Sequence, residues 1–253
     1  MLIDHHIHFT NEKDILKIIK RYKIEKAIIF AKRLDENLTN LYKKENQKVL
    51  DFAKKNDKII PFMHIHPFLD DLKYVKKNFQ KFKGFKLNCN PKMTGYSYAN
   101  LKKSKVFEFV LRTKKPIIFH TGYKKGHRIK DILPNLKKDK NGIIIFSHAG
   151  RFIKEDIKIS SKYKNIFIDI SPLNVISENP KFIYSRSPLK KDILNKDFSK
   201  VINFLKKYFE GRIIWGSDFP SCNELSKEGY SGELKIYKEL IRLGENNTFL
   251  KIV

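Results

Sequence analysis

A chain of 253 residues and 30.0 kDa has room for one large domain or two small ones. Hydrophobic residues make up 41% and aromatics 13%, enough for a large core, which excludes disorder as the main state. The formal net charge of +26 raises the question of a polyanion partner. The lysines answer it: they come in pairs along almost every expected helix, among them Lys43-Lys44, Lys54-Lys55, Lys137-Lys138 and Lys206-Lys207, and no short arm collects them. A solvated basic surface is therefore expected, and nucleic acid is not expected as a partner.

No run of about 18 apolar residues is present, so no membrane-spanning helix is expected. The start, Met-Leu-Ile-Asp-His-His, lacks the basic and apolar regions of a secretory signal. Cys89 and Cys222 are too few for a disulfide framework, which points to a reducing, cytoplasmic compartment.

In chain order, eight β-branched, mostly apolar runs read as strands: 2–8, 27–30, 59–66, 84–88, 116–121, 142–148, 166–171 and 212–218. Strands apolar on both faces belong to parallel sheets covered on both sides. Helical spacing fills the gaps. Ile15, Ile18, Ile19 and Tyr22 recur along one face of 14–22, and Phe198, Val201, Ile202, Leu205 and Phe209 do so along 198–209. Over 234–243 the apolar positions are Leu234, Tyr237 and Ile241, with Gly244 as the residue that ends the helix. Eight strand-then-helix units at this length predict a single-domain (β/α)8 TIM barrel over residues 1–253. The connection 172–196 is long and weakly periodic, and is expected to lie over the catalytic face.

The strand ends carry the chemistry. The first reads Asp4-His5-His6-Ile7-His8, and regular alternation puts Asp4, His6 and His8 on one face. The fifth ends at His120, the sixth at His148, and the eighth in Gly216-Ser217-Asp218-Phe219-Pro220. In a parallel barrel these C-terminal ends converge. Polar groups closing apolar strands are costly unless they pair or bind something. The pair His6 and His8 taken alone also fits core histidines; the convergence of four histidines and an aspartate points to a metal site.

These motifs resemble the amidohydrolase superfamily, most closely its amidohydrolase 2 branch, and the tail Leu243-Gly244-Glu245-Asn246 resembles that family's final stretch. The resemblance implies a divalent metal, one Zn²⁺ above others, held by His6, His8, His120 and Asp218. It also implies catalytic roles for Asp218, as proton acceptor from water, and for His148, which would hydrogen-bond water or polarise a substrate oxygen. The implied reaction is hydrolysis of a small amide, ester or lactone, with non-oxidative decarboxylation as the alternative; a metal-dependent nuclease or a nucleic-acid-binding protein, suggested by the charge, ranks behind both. The partner is then a small molecule, carboxylated in one version, and a homodimer is an open expectation.

Lys86 sits on the fourth strand, where two-metal members carry a bridging carboxylated lysine; here an unmodified Lys86 paired with Asp4 or with a substrate carboxylate is expected. His66, Tyr123 and Arg151, with Lys124, are expected to meet the substrate. His64 reads as a core or supporting residue, His5 as pointing away from the site, and His127, at a helix start, as facing solvent. Cys89, Cys222, Trp215 and Phe219 read as buried packing.

Overall fold

The computed structural model describes residues 1–32, 41–89, 94–136 and 142–245; Lys137-Lys138 and Asn246 lie outside them. Eight parallel strands form one sheet in the order of the chain: β1 Ile3–His8, β2 Lys26–Phe30, β3 Ile59–Ile65, β4 Gly84–Leu87, β5 Ile117–Phe119, β6 Ile144–Phe146, β7 Ile166–Asp169 and β8 Ile213–Ile214. The sheet closes on itself past the short ladder of β8. There His5 N donates to the Trp215 carbonyl (3.3 Å), His8 N to Phe219 O (2.8 Å) and Asp218 N to His6 O (2.8 Å). The molecule is a (β/α)8 barrel.

The described helices are α1 Glu12–Tyr22, α2 Leu41–Lys55, α3 Leu72–Asn78, α4 Lys105–Arg112, α5 Ile129–Ile132, α6 Lys154–Ser160, α7 Leu173–Glu178, α8 Lys190–Leu194, α9 Phe198–Phe209, α10 Ser221–Leu225 and α11 Gly229–Arg242. Local chemistry sets their ends. In α1 the Asn11 side chain accepts from Asp14 N, acids occupy the first turn and bases the last, and Ile15, Ile18 and Ile19 are buried. In α9 Asp197 caps Lys200 N, and Val201, Ile202, Leu205 and Phe209 are buried as their spacing predicts.

Helix α11 differs from expectation. It starts at Gly229, and its buried face runs through Tyr230, Glu233, Ile236 and Leu240, while Ile241 is 40% exposed. The apolar stripe read from the sequence lies at the edge of the true face, because the missing first turn carries the anchor Tyr230. Segment 172–196 is also more ordered than a loop. It holds α7, a 3₁₀ turn at Pro180–Phe182 and α8, with Leu173–Ser177 buried.

Two apolar layers result. Ile28, Phe30, Phe62, Ile118, Ile145, Phe167 and Ile214 fill the barrel interior. A larger cluster lies between strands and helices, with Ile7, Ala27, Ile29, Met63 and Trp215 among its members.

The parity of β1 is broken. Asp4 pairs with Ala27 and Ile7 with Ile29, so three steps on β1 match two on β2. This bulge puts one extra residue between Asp4 and Ile7. Asp4 therefore leaves the face of His6 and His8. Its carboxylate turns to the outer layer, accepting from Tyr230 OH (2.7 Å), Ser217 N (2.9 Å) and His6 N (3.0 Å). The expectation of a shared Asp4–His6–His8 face, and of an Asp4–Lys86 pair, is corrected by this one irregularity.

Candidate active site

His6 and His8 point into the barrel mouth from β1. The Nε2 atoms of His6 and His8 lie 3.2 and 3.3 Å from the same oxygen, Asp218 Oδ1. Among the described residues, His6, His8 and Asp218 form the group whose ligand atoms all lie within 4.8 Å of one another. Asp218 follows β8 in a left-handed conformation, φ 56°. A non-glycine residue there carries backbone strain, which is commonest at functional sites. Gly216 allows the approach of β8 to β1, since a Cβ there would lie 2.4 Å from His6 Cβ.

A second carboxylate, not foreseen from the sequence, holds His6 from behind. His6 Nδ1 donates to Asp169 Oδ2 at 2.6 Å, and both side chains are fully enclosed. Asp169 is itself fixed by Ser171 N (2.7 Å) and Ser171 Oγ (2.8 Å). With its proton on Nδ1, His6 presents the Nε2 lone pair to the site. A single acid closing the apolar run Ile166–Asp169 is the only sequence signal for this residue.

Lys86 completes the floor. Its Nζ lies 3.3 Å from His6 Nε2 and 3.3 Å from Ser147 Oγ, and stands 4.7 Å over the Phe30 ring. Burial lowers its pKa to about 8, with Asp218 and Asp169 opposing that shift. It is fully buried, and the partners of the Asp4 carboxylate are Tyr230, Ser217 and His6, so Lys86 does not pair with Asp4.

His120 is placed beside this group rather than within it. Its Nδ1 is 2.9 Å from His148 Nε2, and His148 Nδ1 donates to the Ser171 carbonyl at 2.6 Å. A carbonyl only accepts, so His148 Nε2 carries a lone pair, His120 Nδ1 donates to it, and His120 Nε2 is left unprotonated. Burial pushes His120 and His148 well below the ordinary histidine value and His8 down to about 4, so all three are neutral imidazoles. For His6 burial and the Lys86 charge disfavour the charged form, but Asp169 first and Asp218 after it outweigh them and raise its pKa. For Asp218 burial is outweighed by His6, with His8 adding a hydrogen bond, which holds it well below the carboxylate range.

After β6 the chain runs through five left-handed residues, His148 to Phe152, with φ between 44° and 60°. At about three residues per turn, positions i and i+3 fall on one side. His148 and Arg151 accordingly line the same cavity, of about 260 Å³, together with His120 and Asp218. Tyr123 and Lys124 also line it, and Pro172, Val175, Ile176 and Phe182 of the 172–196 segment supply much of its apolar wall. The Arg151 guanidinium lies 5.6 Å over Phe182, and burial lowers its pKa to about 10. Among the described residues no carboxylate reaches it within ion-pair distance.

Other expectations are corrected. His66 is not at the cavity: its Nε2 donates to the Thr94 carbonyl (2.9 Å) and its Nδ1 accepts from Phe68 N (3.2 Å) and Leu69 N (3.0 Å), so both nitrogens serve the loop. His127 does not face solvent. It is 8% exposed, lines the cavity and stacks on His120 with ring centres 5.0 Å apart. His5 donates to the Trp215 carbonyl at 2.8 Å, away from the group. Cys89 and Cys222 are buried, and burial pushes the Cys89 thiol up to about 12, so neither is an activated thiolate.

The donors fit a divalent cation: two neutral-capable imidazole nitrogens and a carboxylate oxygen converge on one point, one imidazole being oriented by a second carboxylate.

Comparison with protein-family models and with curated proteins finds no match. Solved structures do match, over nearly the whole chain. A probable 2-pyrone-4,6-dicarboxylic acid hydrolase from Acinetobacter baumannii, with citric acid bound, superposes with a TM-score of 0.65 at 17% identity, covering 95% of this chain and 92% of that one. The 2,6-dihydroxybenzoate decarboxylase from Rhizobium gives 0.62 at 10% identity, covering 92% and 91%. Dihydroorotase from Campylobacter jejuni gives 0.55 at 14% identity, covering 97% and 83%. This chain has their fold. No described helix is long and apolar enough to cross a membrane.

Proposed function

We propose that the protein is a metal-dependent hydrolase of the amidohydrolase type, acting on a small amide, ester or lactone that carries a carboxylate. The observation that carries this reading is the convergence of His6 Nε2 and His8 Nε2 on Asp218 Oδ1, beside a cavity whose Arg151 has no carboxylate partner among the described residues. His6, His8 and Asp218 would hold the ion, with His120 Nε2 as the fourth donor. A divalent cation there, zinc by the preference of imidazole and carboxylate donors, would polarise a carbonyl oxygen and bring the pKa of water towards about 7.

The chain's own groups do the rest. Asp169 keeps the His6 proton on Nδ1 and so keeps Nε2 free to ligate. Arg151 binds a substrate carboxylate by charge-assisted hydrogen bonds, with Lys124 and Tyr123 at the rim. Val175, Ile176 and Phe182 exclude water from that ion pair, which strengthens it. Once its Nε2 is released from the His120 Nδ1 proton it now accepts, His148 can take up the proton of attacking water and return it to the departing group. Decarboxylation of a small aromatic acid is the second reading. The same carboxylate clamp and proton carrier serve it, and one barrel of this fold is a decarboxylase.

The test is reconstitution of the metal-free protein with Zn²⁺, Mn²⁺ or Co²⁺, followed by a screen of carboxylated lactones, amides and aromatic acids. Stoichiometric binding of one ion per chain with turnover of a carboxylated substrate is the expected result. A protein that binds no ion under any of these conditions refutes the proposal.

A further inference from the structure

His64 is held more firmly than a packing residue requires. Asn46 of α2, fully buried, clamps its backbone from both sides: Asn46 Nδ2 donates to His64 O (2.8 Å) and His64 N donates to Asn46 Oδ1 (2.9 Å). The ring lies 4.3 Å from the Tyr42 ring, and its Nδ1 donates to the Ala31 carbonyl at 3.0 Å. That bond fixes the tautomer, so Nε2 is a bare lone pair. It is buried and without a hydrogen-bond partner. A lone acceptor in the barrel interior costs free energy unless a donor reaches it.

A complementary donor flanks the same Phe30 ring. A His8 that presents Nε2 to an ion must carry its proton on Nδ1, and His8 Nδ1 is likewise buried and without a partner. Both rings pack edge-on against Phe30, His8 with centroids 4.7 Å and His64 with centroids 6.4 Å away. His64 pairs in register with Lys86 on β4, in the layer directly beneath the site. His6 has an orienting partner in Asp169; His8 has none by direct contact.

We propose that His64 is the positioning residue for His8, accepting the His8 Nδ1 proton through one buried water that bridges the two rings. This rests on the reading of His8 as a metal ligand. A water with two fixed polar partners and an enclosed site is of the kind that folded proteins retain. The arrangement would pin the His8 ring plane and tautomer as Asp169 pins those of His6, and a partner of this kind is typically worth about 10–100-fold in metal affinity.

The test compares His64→Phe, which keeps the ring and removes the acceptor, with His64→Gln, whose side-chain oxygen restores one. Zinc affinity is read by competition with a chromophoric chelator, and exchange of the His8 ring N–H is followed by NMR in protein with ¹⁵N-labelled histidine. Expected is a roughly 10–100-fold weaker zinc affinity in His64→Phe, recovery in His64→Gln, and faster exchange of the His8 proton only in the former. Wild-type affinity and exchange in a folded His64→Phe overturn the proposal. If His64→Phe fails to fold, an unchanged His8 exchange rate in His64→Gln against a non-accepting His64→Leu decides. Wild-type protein that binds no zinc would instead sink the metal site itself, a different outcome.

Discussion

Replacing Asp169 with Asn tests whether the enclosed carboxylate sets the chemistry of His6. Two orientations are open to the amide. With its oxygen on Ser171 N, now 2.7 Å from Asp169 Oδ1, the NH₂ group faces His6 Nδ1 across the present 2.6 Å contact. His6 must then move its proton to Nε2 and can no longer ligate. In the flipped orientation the NH₂ meets the Ser171 amide, donor against donor. Either way the loss belongs to metal binding more than to folding. Asp169→Asn should weaken zinc about 10–100-fold, or about 1.4–2.7 kcal/mol. Metal stabilises the folded state by mass action, so the zinc-induced rise in melting temperature should shrink by roughly 3–10 °C for a chain of this size. Chelator competition gives the affinity, and thermal unfolding with and without zinc gives the shift. Zinc affinity within about twofold of wild type in a folded Asp169→Asn protein would refute the reasoning, since a lost orienting partner costs at least about tenfold.

Gly216→Ala places a methyl 2.4 Å from His6 Cβ and 2.9 Å from His6 N. Overpacking of this kind costs about 1–3 kcal/mol, and zinc affinity should fall with it; a stable variant with full affinity would show that the strands can part there freely. Arg151→Met keeps the stem and removes the charge, so KM for a carboxylated substrate should rise roughly 10–100-fold while an uncharged analogue is unaffected, read by steady-state kinetics on both. Asp70 is 7% exposed, and burial raises its pKa from 3.8 to about 7 although it accepts from His66 N at 2.8 Å. An acid whose folded pKa is raised destabilises the fold progressively as pH climbs from about 4 to 7, by up to roughly 4 kcal/mol here. Asp70→Asn should remove that slope, and be more stable than wild type at pH 8 but not at pH 4; parallel denaturation curves across pH would contradict it.

The barrel was legible because parallel strands buried on both faces leave an unmistakable trace: Ile117–Phe119 and Ile144–Phe146 are wholly apolar, and all eight runs became strands. The polar residues closing those runs were legible for the same reason, as isolated donors at the ends of apolar segments. Helix phase was less secure where one turn went unseen, as at Tyr230 in α11. His127 was misplaced because a helix-start position reads as solvated, whereas the loop after β5 folds its ring onto His120.

The bulge in β1 shows why the remainder was hidden. Alternation assumes an unbroken pleat, and under it Asp4 belongs with the ligands. One inserted residue sends Asp4 outward to Tyr230 and Ser217, where it accepts the His6 and Ser217 amides and so ties β1 to the end of β8. The carboxylate that serves His6 comes instead from β7, on the far side of the barrel mouth in sequence and adjacent to it only through closure. Asp4 and Asp169 thus divide two tasks that a linear reading assigns to one residue. Asp4 fixes the backbone on which His6 stands, and Asp169 fixes the proton on its ring. The separation matters physically, because a single carboxylate cannot accept the His6 amide and the His6 imidazole proton from opposite sides of the strand.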